Sequence, residues 1–413
     1  MSTNGSRPRI LVLNQYYWPG VEATAHLLTE LCEALAEDFA VEVVTGVLHG
    51  HEDEPRELER HGVRITRVSS TSYERSTLGR RAANYFSYLG SALSHALGSE
   101  APDLVLCMTD PPIVGDVGVL VGRRFGAPVV VISQDVFPEI ATELQRLRNP
   151  AVVGVLGLLV GAYLRRADRI VAIGETMRER LEAKGTPAER LRVIPNWIDT
   201  REIVPQPRDN AWAQKHDLVS RFVVMHSGNV GHAQDLDSLV RAATFLRDRD
   251  DLRIVIAGFG ARHAEMVSLV ERLEVEETVR FLPYQKRERL PLSLSSADLH
   301  VVGLAKGLAG YVVPSRLYGI LAAGRPVVVT AEGESETARI VREAGCGIVI
   351  PPGRPELLAR TIRSAADGEY DLDEMGRRGR AYVEAEADRV VATERYRALV
   401  RELLAGPKES VSP

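Results

Sequence analysis

Short, unbroken apolar runs alternate with amphipathic stretches along this chain, and the whole alternation occurs twice. In the first half the runs are Ile10–Leu13, Val41–Val44, Leu104–Cys107, Val129–Ile132 and Ile170–Ile173. In the second they are Phe222–Met225, Ile254–Ala257, Val279–Leu282, Leu299–Val302, Val327–Thr330 and Ile348–Ile350. They are continuous rather than alternating, as strands of a parallel sheet buried on both faces must be. Between them Leu27, Leu28, Leu31 and Leu35 share one helix face, as do Leu239, Ala242, Ala243 and Leu246. Strands alternating with helices make an α/β chain of βαβ units. Two such sets in 413 residues predict two Rossmann-like, doubly wound domains facing a cleft. Prolines 195, 205 and 207 interrupt regular structure between the sets. The expected division is 1–200, 201–387, and 388–413 as a helix crossing back to the first domain, with 405–413 a frayed tail.

Charge and cysteine content narrow the function. There are 51 basic and 56 acidic residues, a net charge of −5, which speaks against a nucleic-acid partner. Cys32, Cys107 and Cys346 lie far apart in apolar surroundings and read as buried thiols of a reducing compartment. The polar start, Met1 to Pro8, does not read as a secretory signal. The apolar run Ala151–Leu164, followed by Arg165 and Arg166, is too short to span a bilayer. The expected state is a buried core helix, with an interfacial membrane helix as the alternative. Tyr73–Leu93 carries Arg75, Arg80 and Arg81 beside Tyr85, Phe86 and Tyr88. A solvated helix face is the default there, and docking on a membrane or a lipid diphosphate the alternative.

In doubly wound sheets ligands bind beyond the carboxyl ends of the strands. After Phe222–His226 comes Ser227-Gly228-Asn229-Val230-Gly231-His232-Ala233-Gln234-Asp235, then a helix. Two glycines there bring backbone N–H groups close to an anion, or make a plain turn. The spacing is neither GxGxxG nor a Walker motif. Val313–Pro326 reads as a short helix with Ser315 as N-cap and Arg316 in its first turn. A cation there opposes the helix dipole, which makes sense if a phosphate sits over it; otherwise Arg316 reaches into solvent. Gly258-Phe259-Gly260 follows another strand and admits a ribose or phosphate, or is a tight turn. In the first half Asn14–Gly20, Thr109–Pro112 and Gln134–Glu139 follow strands and mix polar with aromatic groups, which suits sugar recognition. Asp135 is the candidate acid/base or hydroxyl-binding carboxylate, or else a helix cap.

Two constellations are set aside. His49-Gly50-His51-Glu52-Asp53-Glu54 lies in a polar loop. Asp235-Leu236-Asp237 opens a helix, where the dipole favours carboxylates anyway.

Taken together, Asn14–Pro19, Thr109–Pro112, Gln134–Glu139, Pro195-Asn196-Trp197-Ile198-Asp199, Ser227–Asp235 and Pro314–Pro326 resemble the retaining glycosyltransferases of family 4, of the GT-B fold. The resemblance covers nearly the whole chain. It is strongest to the subgroup of bacterial surface-polysaccharide assembly that includes fucosyl and fucosamine transferases. It implies a nucleotide-diphosphate sugar, UDP- or GDP-linked, on the C-terminal domain. The diphosphate would meet Gly228, Asn229, Gly231 and Arg316, with Gln234, Gly258 and Ser315 around the donor and the base near Phe281–Tyr284. The acceptor, a glycan or lipid-linked glycan, would pass Gly20, Asp110 and Asp135. Catalysis would rest on Asp135 and Arg316, with no cofactor and no essential metal. Asn229 and Gln234 stand where many members carry arginine and lysine, and Tyr311 and Gly319 where many carry glutamates. A histidine usual near Gln134–Asp135 is absent.

The expected protein is therefore a hexosyltransferase-type enzyme of surface-polysaccharide biosynthesis. It would be cytoplasmic, with a peripheral contact at the inner face of the plasma membrane. A nucleotide-sugar epimerase and a non-catalytic nucleotide-sugar-binding protein are the rivals.

Overall fold

A computed structural model describes residues 7–20, 22–73 and 78–406. Arg75 and the tail beyond Gly406 lie outside the described residues. The chain divides into two compact units, one up to Ile194 together with the residues from Thr393 on, the other Pro195–Ala392.

The described residues of the first unit form an eight-stranded sheet. Its strands are β1 Arg9–Leu13, β2 Ala40–Thr45, β3 Glu57–Arg60, β4 Val63–Arg67, β5 Leu104–Met108, β6 Val129–Ser133, β7 Arg169–Ala172 and β8 Leu191–Val193. The spatial order is β3-β4-β2-β1-β5-β6-β7-β8. All pairs are parallel except β3 with β4. The strand order reverses between β1 and β5, the place where a doubly wound sheet opens a crevice. Every residue of β5 and β6 is buried, which is why both read as unbroken apolar runs.

The second unit has β9 Phe222–Ser227, β10 Leu252–Ala257, β11 Val279–Leu282, β12 Leu299–Gly303, β13 Val327–Thr330 and β14 Gly347–Ile350. They form a parallel sheet in the order β11-β10-β9-β12-β13-β14. Its switch point lies between β9 and β12. Valines and isoleucines of β9, β10 and β13 fill a core closed by Leu236, Leu239, Leu358 and Ile362 from the covering helices. Both sheets match the Rossmann-like architecture expected of the sequence.

The final helix, Arg389–Ala405, begins in the second unit and from Thr393 packs with the first. There Arg397 pairs with Glu37, and Glu402 lies 2.7 Å from Arg169. Cys32, Cys107 and Cys346 are free and buried, as expected.

Two expectations fail. The run Ala151–Leu164 does form a helix, Pro150–Leu164, capped by Asn149, whose side chain accepts from the N–H groups of Ala151 and Val152. It is not a buried core helix. Val160, Gly161, Tyr163 and Leu164 are buried, but Val155 is 58% and Leu158 72% exposed. Its last turns wedge against the Val114–Phe125 helix, where the Tyr163 ring lies where a Cβ on Gly115 would stand, 2.6 Å away. The first turns run free of that support. Ser315 does precede the helix Arg316–Ala322, but its side chain makes no capping bond. It is already helical, at φ −60° and ψ −23°, whereas a capping serine needs an extended backbone.

Candidate active site

In the second unit the site begins where two strands part. β12 pairs with β9 only at Leu299↔Val224 and His300↔Met225. Beyond them β9 runs on to Ser227 and β12 to Gly303 without pairing to each other. His226 stands at this split, fully buried at the end of the apolar run Phe222–Met225. Arg316 reaches it from the start of its short helix, with Nη1 2.8 Å from His226 Nε2. The guanidinium also lies against Gly228, at 3.7 Å from where a Cβ would stand. That glycine sits at φ +129°, a conformation L side chains avoid.

The electrostatics follow from burial. Desolvation pushes Arg316 down to about 10, still charged at neutral pH. Burial first, and the Arg316 charge second, push His226 well below its usual range, so its imidazole is neutral and accepts from the arginine. Among the described residues Arg316 forms no ion pair; its hydrogen bonds go to His226. A desolvated cation without a carboxylate is costly unless an anion joins it. His226 went unnoticed in the sequence because a single histidine in an apolar strand carries no pattern.

The glycine loop is braced from within. Gly228 N–H donates to Ala257 O at 2.9 Å, Val230 N–H to Phe259 O at 3.0 Å, and Gly231 N–H to Gln234 Oε1 at 2.9 Å. A Cβ on Gly231 would meet Asn229 Nδ2 at 2.7 Å. Asn229 and Gln234 thus fold onto the loop as neutral braces, and Arg316 is left as the cation beside it. Gly258 is required by packing, since a Cβ there would fall 1.8 Å from Gly228 O. Gly258→Ala should therefore push the two loops apart and lower stability by about 1–3 kcal/mol. A thermal melt equal to the wild type would contradict that. Phe259 and Tyr284, on the loops after β10 and β11, are 68% and 66% exposed, open rings on which a base can stack.

In the first unit Asp110 and Asp135 come together. They line one pocket of about 240 Å³ with Thr24, Arg81, Tyr85 and Arg146, at the carboxyl ends of β5 and β6. Burial raises the Asp135 carboxyl to about 6, with Arg146 working against the rise. Asp135 does not cap the next helix: Glu139–Glu143 has Pro138 at its N-cap and no side-chain capping bond. Gly20 lies apart from this pair and lines a separate pocket with Gln15, Tyr16 and His49. Arg146 was invisible to motif reasoning, being one arginine of a polar loop.

Of the set-aside constellations, the Asp235 and Asp237 carboxylates are tied into the fold. Asp237 takes a two-pronged ion pair from Arg262, at 2.6 and 3.1 Å. Asp235 accepts from Ser238 Oγ at 2.9 Å and Gly353 N–H at 3.1 Å. Among the described residues no group of three or more His, Cys, Asp or Glu side chains is placed to hold a metal ion.

Two Rossmann-like domains, the second with a glycine loop and a half-buried cation at its switch point, have the architecture of the GT-B fold. Comparison with known proteins agrees. Residues 22–197 match the family described as "Glycosyl transferase 4-like domain", and residues 209–382 the family "Glycosyl transferases group 1". The chain belongs to the family 4 glycosyltransferases. It is 26% identical over 410 residues to the probable glycosyltransferase WbjE of Pseudomonas aeruginosa, covering 97% of this chain and 99% of that one. It is 30% identical over 206 residues to the putative colanic acid biosynthesis glycosyl transferase WcaI of Escherichia coli K12, about half of each chain (49% and 50%). The fold resembles that of Anabaena Alr3699/HepE, solved with UDP and glucose, at a TM-score of 0.75 and 17% identity, covering 96% of this chain and 100% of that one.

Proposed function

We propose that this glycosyltransferase moves a hexose-type sugar from a nucleoside diphosphate donor, UDP- or GDP-linked, to a lipid-linked glycan during surface-polysaccharide assembly. The observation that carries the reading is Arg316, a half-buried, desolvated cation with no carboxylate partner among the described residues, beside the Gly228 loop. A diphosphate is the ligand that would neutralise it. When the bond from the anomeric carbon to the phosphate oxygen breaks, the electron pair stays on the leaving diphosphate. A fixed guanidinium stabilises that charge more than it stabilises the intact donor, which is catalysis. The acceptor hydroxyl then bonds to the anomeric carbon, on the same face the diphosphate leaves, giving retention. Asp135 orients that hydroxyl and takes its proton.

Support for the donor class comes from the HepE likeness, solved with UDP and glucose. Support for polysaccharide assembly comes from the likeness to the putative colanic acid biosynthesis enzyme WcaI, and support for sugar transfer from the likeness to WbjE. The protein would work in the cytoplasm at the inner face of the membrane. Gly228, Asn229, Gly231, Gln234, Gly258, Tyr284 and Ser315 would surround the donor, and Gly20, Asp110 and Asp135 the acceptor.

The test is nucleoside diphosphate release from UDP-, GDP- and dTDP-sugars, with and without a lipid-linked acceptor extract. Acceptor-dependent release from one donor is expected. Tight binding of a nucleotide with no release from any donor would sink the transfer reading. The same assay with EDTA should lose less than twofold in rate, because Arg316 supplies the charge a metal would; abolition by chelator would overturn that part.

A further inference from the structure

The Pro150–Leu164 helix shows a second face that the fold leaves uncovered. Val152, Val155, Leu158 and Leu159 are 46%, 58%, 72% and 38% exposed. Their spacing, three or four residues apart from turn to turn, puts them on one stripe. The opposite stripe holds Val160 and Leu164, which are buried in the unit. The helix has no charged residue along its 15 positions. Exposed Arg148 precedes it and exposed Arg165 and Arg166 follow it. From Leu144 to Ala167 the sequence has four arginines and no aspartate or glutamate. The helix it packs against, Val114–Phe125, adds a further exposed leucine, Leu120, at 53%.

We propose that this stripe is a docking surface for an anionic lipid bilayer, with the helix lying in the plane of the interface. The aliphatic side chains enter the boundary of the acyl region, and the arginines at both ends meet lipid phosphates. Length excludes a span: 15 residues make about 22 Å of helix, against about 30 Å of hydrocarbon. No helix of the described residues is long and apolar enough to cross a membrane. Charge excludes a second copy as the occupant. Two such stripes paired across a twofold axis would bring arginine ends against arginine ends, four arginines against the single flanking carboxylates Glu143 and Asp168. The inference deepens the proposed function, since it names the surface by which the enzyme meets a lipid-linked acceptor, and it rests on that reading only for the identity of the membrane.

The experiment is vesicle co-sedimentation of the full chain, without donor or acceptor, so its failure is distinct from failure of the transfer reading. Vesicles are phosphatidylglycerol with phosphatidylcholine, or phosphatidylcholine alone. The protein should bind the anionic vesicles at least tenfold better. Val155→Asp with Leu158→Asp should cut that binding at least tenfold while leaving the thermal melt unchanged, because both side chains are exposed. Arg165→Gln with Arg166→Gln should leave apolar binding but remove most of the preference for anionic lipid. Wild-type protein that stays in the supernatant with anionic vesicles would overturn the proposal. So would aspartate variants that bind as well as the wild type. A dimer in solution that the aspartate variants dissociate would overturn it in favour of a second copy.

Discussion

Arg316→Ala is expected to lower kcat/KM by about 10²–10³, the range found when one charge-stabilising donor is removed from a site of this kind. Stability should not fall with it. The arginine is half-buried, forms no ion pair among the described residues, and lies against a neutral histidine. Removing it takes away a desolvation cost rather than a favourable pair. The melting temperature should hold or rise while nucleoside diphosphate affinity drops. Arg316→Lys should recover only part of the rate, since an ammonium keeps the charge without the planar fork. An alanine variant within threefold of wild-type activity would remove Arg316 from the mechanism.

Asp135→Asn carries the second large effect, and its signature is a pH dependence. Burial raises the carboxyl from 3.8 to about 6, so the folded protein holds a proton that the unfolded chain has released. Stability therefore falls as pH rises from about 4 to about 6, and the cost is complete above that window. It is on the order of 2–3 kcal/mol. Asparagine escapes it, so the variant should melt higher than wild type at about pH 7.5 and no higher at about pH 4. Acceptor-dependent turnover of the wild type should climb through about pH 6 as Asp135 ionises. The variant should lose that limb and about 10²-fold in rate. If it keeps the wild-type rate and profile, Asp135 is not the acceptor-side carboxylate.

Most of both sheets was legible because parallel central strands are apolar on both faces. Every run read as a strand is one. The strands that escaped sit at the edge of the first sheet or near it. β3, Glu57-Leu58-Glu59-Arg60, has half its residues exposed, and β8 is three residues long. Neither has enough apolar sequence to register. The long apolar helix was misread for the opposite reason. A run apolar all round is buried by default, and only its neighbours in space decide whether there is protein on both sides. In the site, Arg316 was found through an argument about a helix terminus, yet the serine in that argument does not cap. What holds the arginine is His226, three strands of sequence away, and no local spacing could have paired them. Asp110 and Asp135 were each found from their strand ends, while of the two arginines sharing their pocket Arg81 comes from the helix Leu78–Gly98 and Arg146 from a loop with no motif to mark it.

The last helix sets a condition on taking this protein apart. Tyr396, Leu399 and Val400 are buried, and they belong to the unit built from the start of the chain. A gene fragment stopping at Ile194 would leave an uncovered apolar strip and invite aggregation. A faithful half must be spliced, with the segment from Thr393 rejoined to residues 7–194 through a flexible linker. Order along the gene and membership in a folding unit are here two different things.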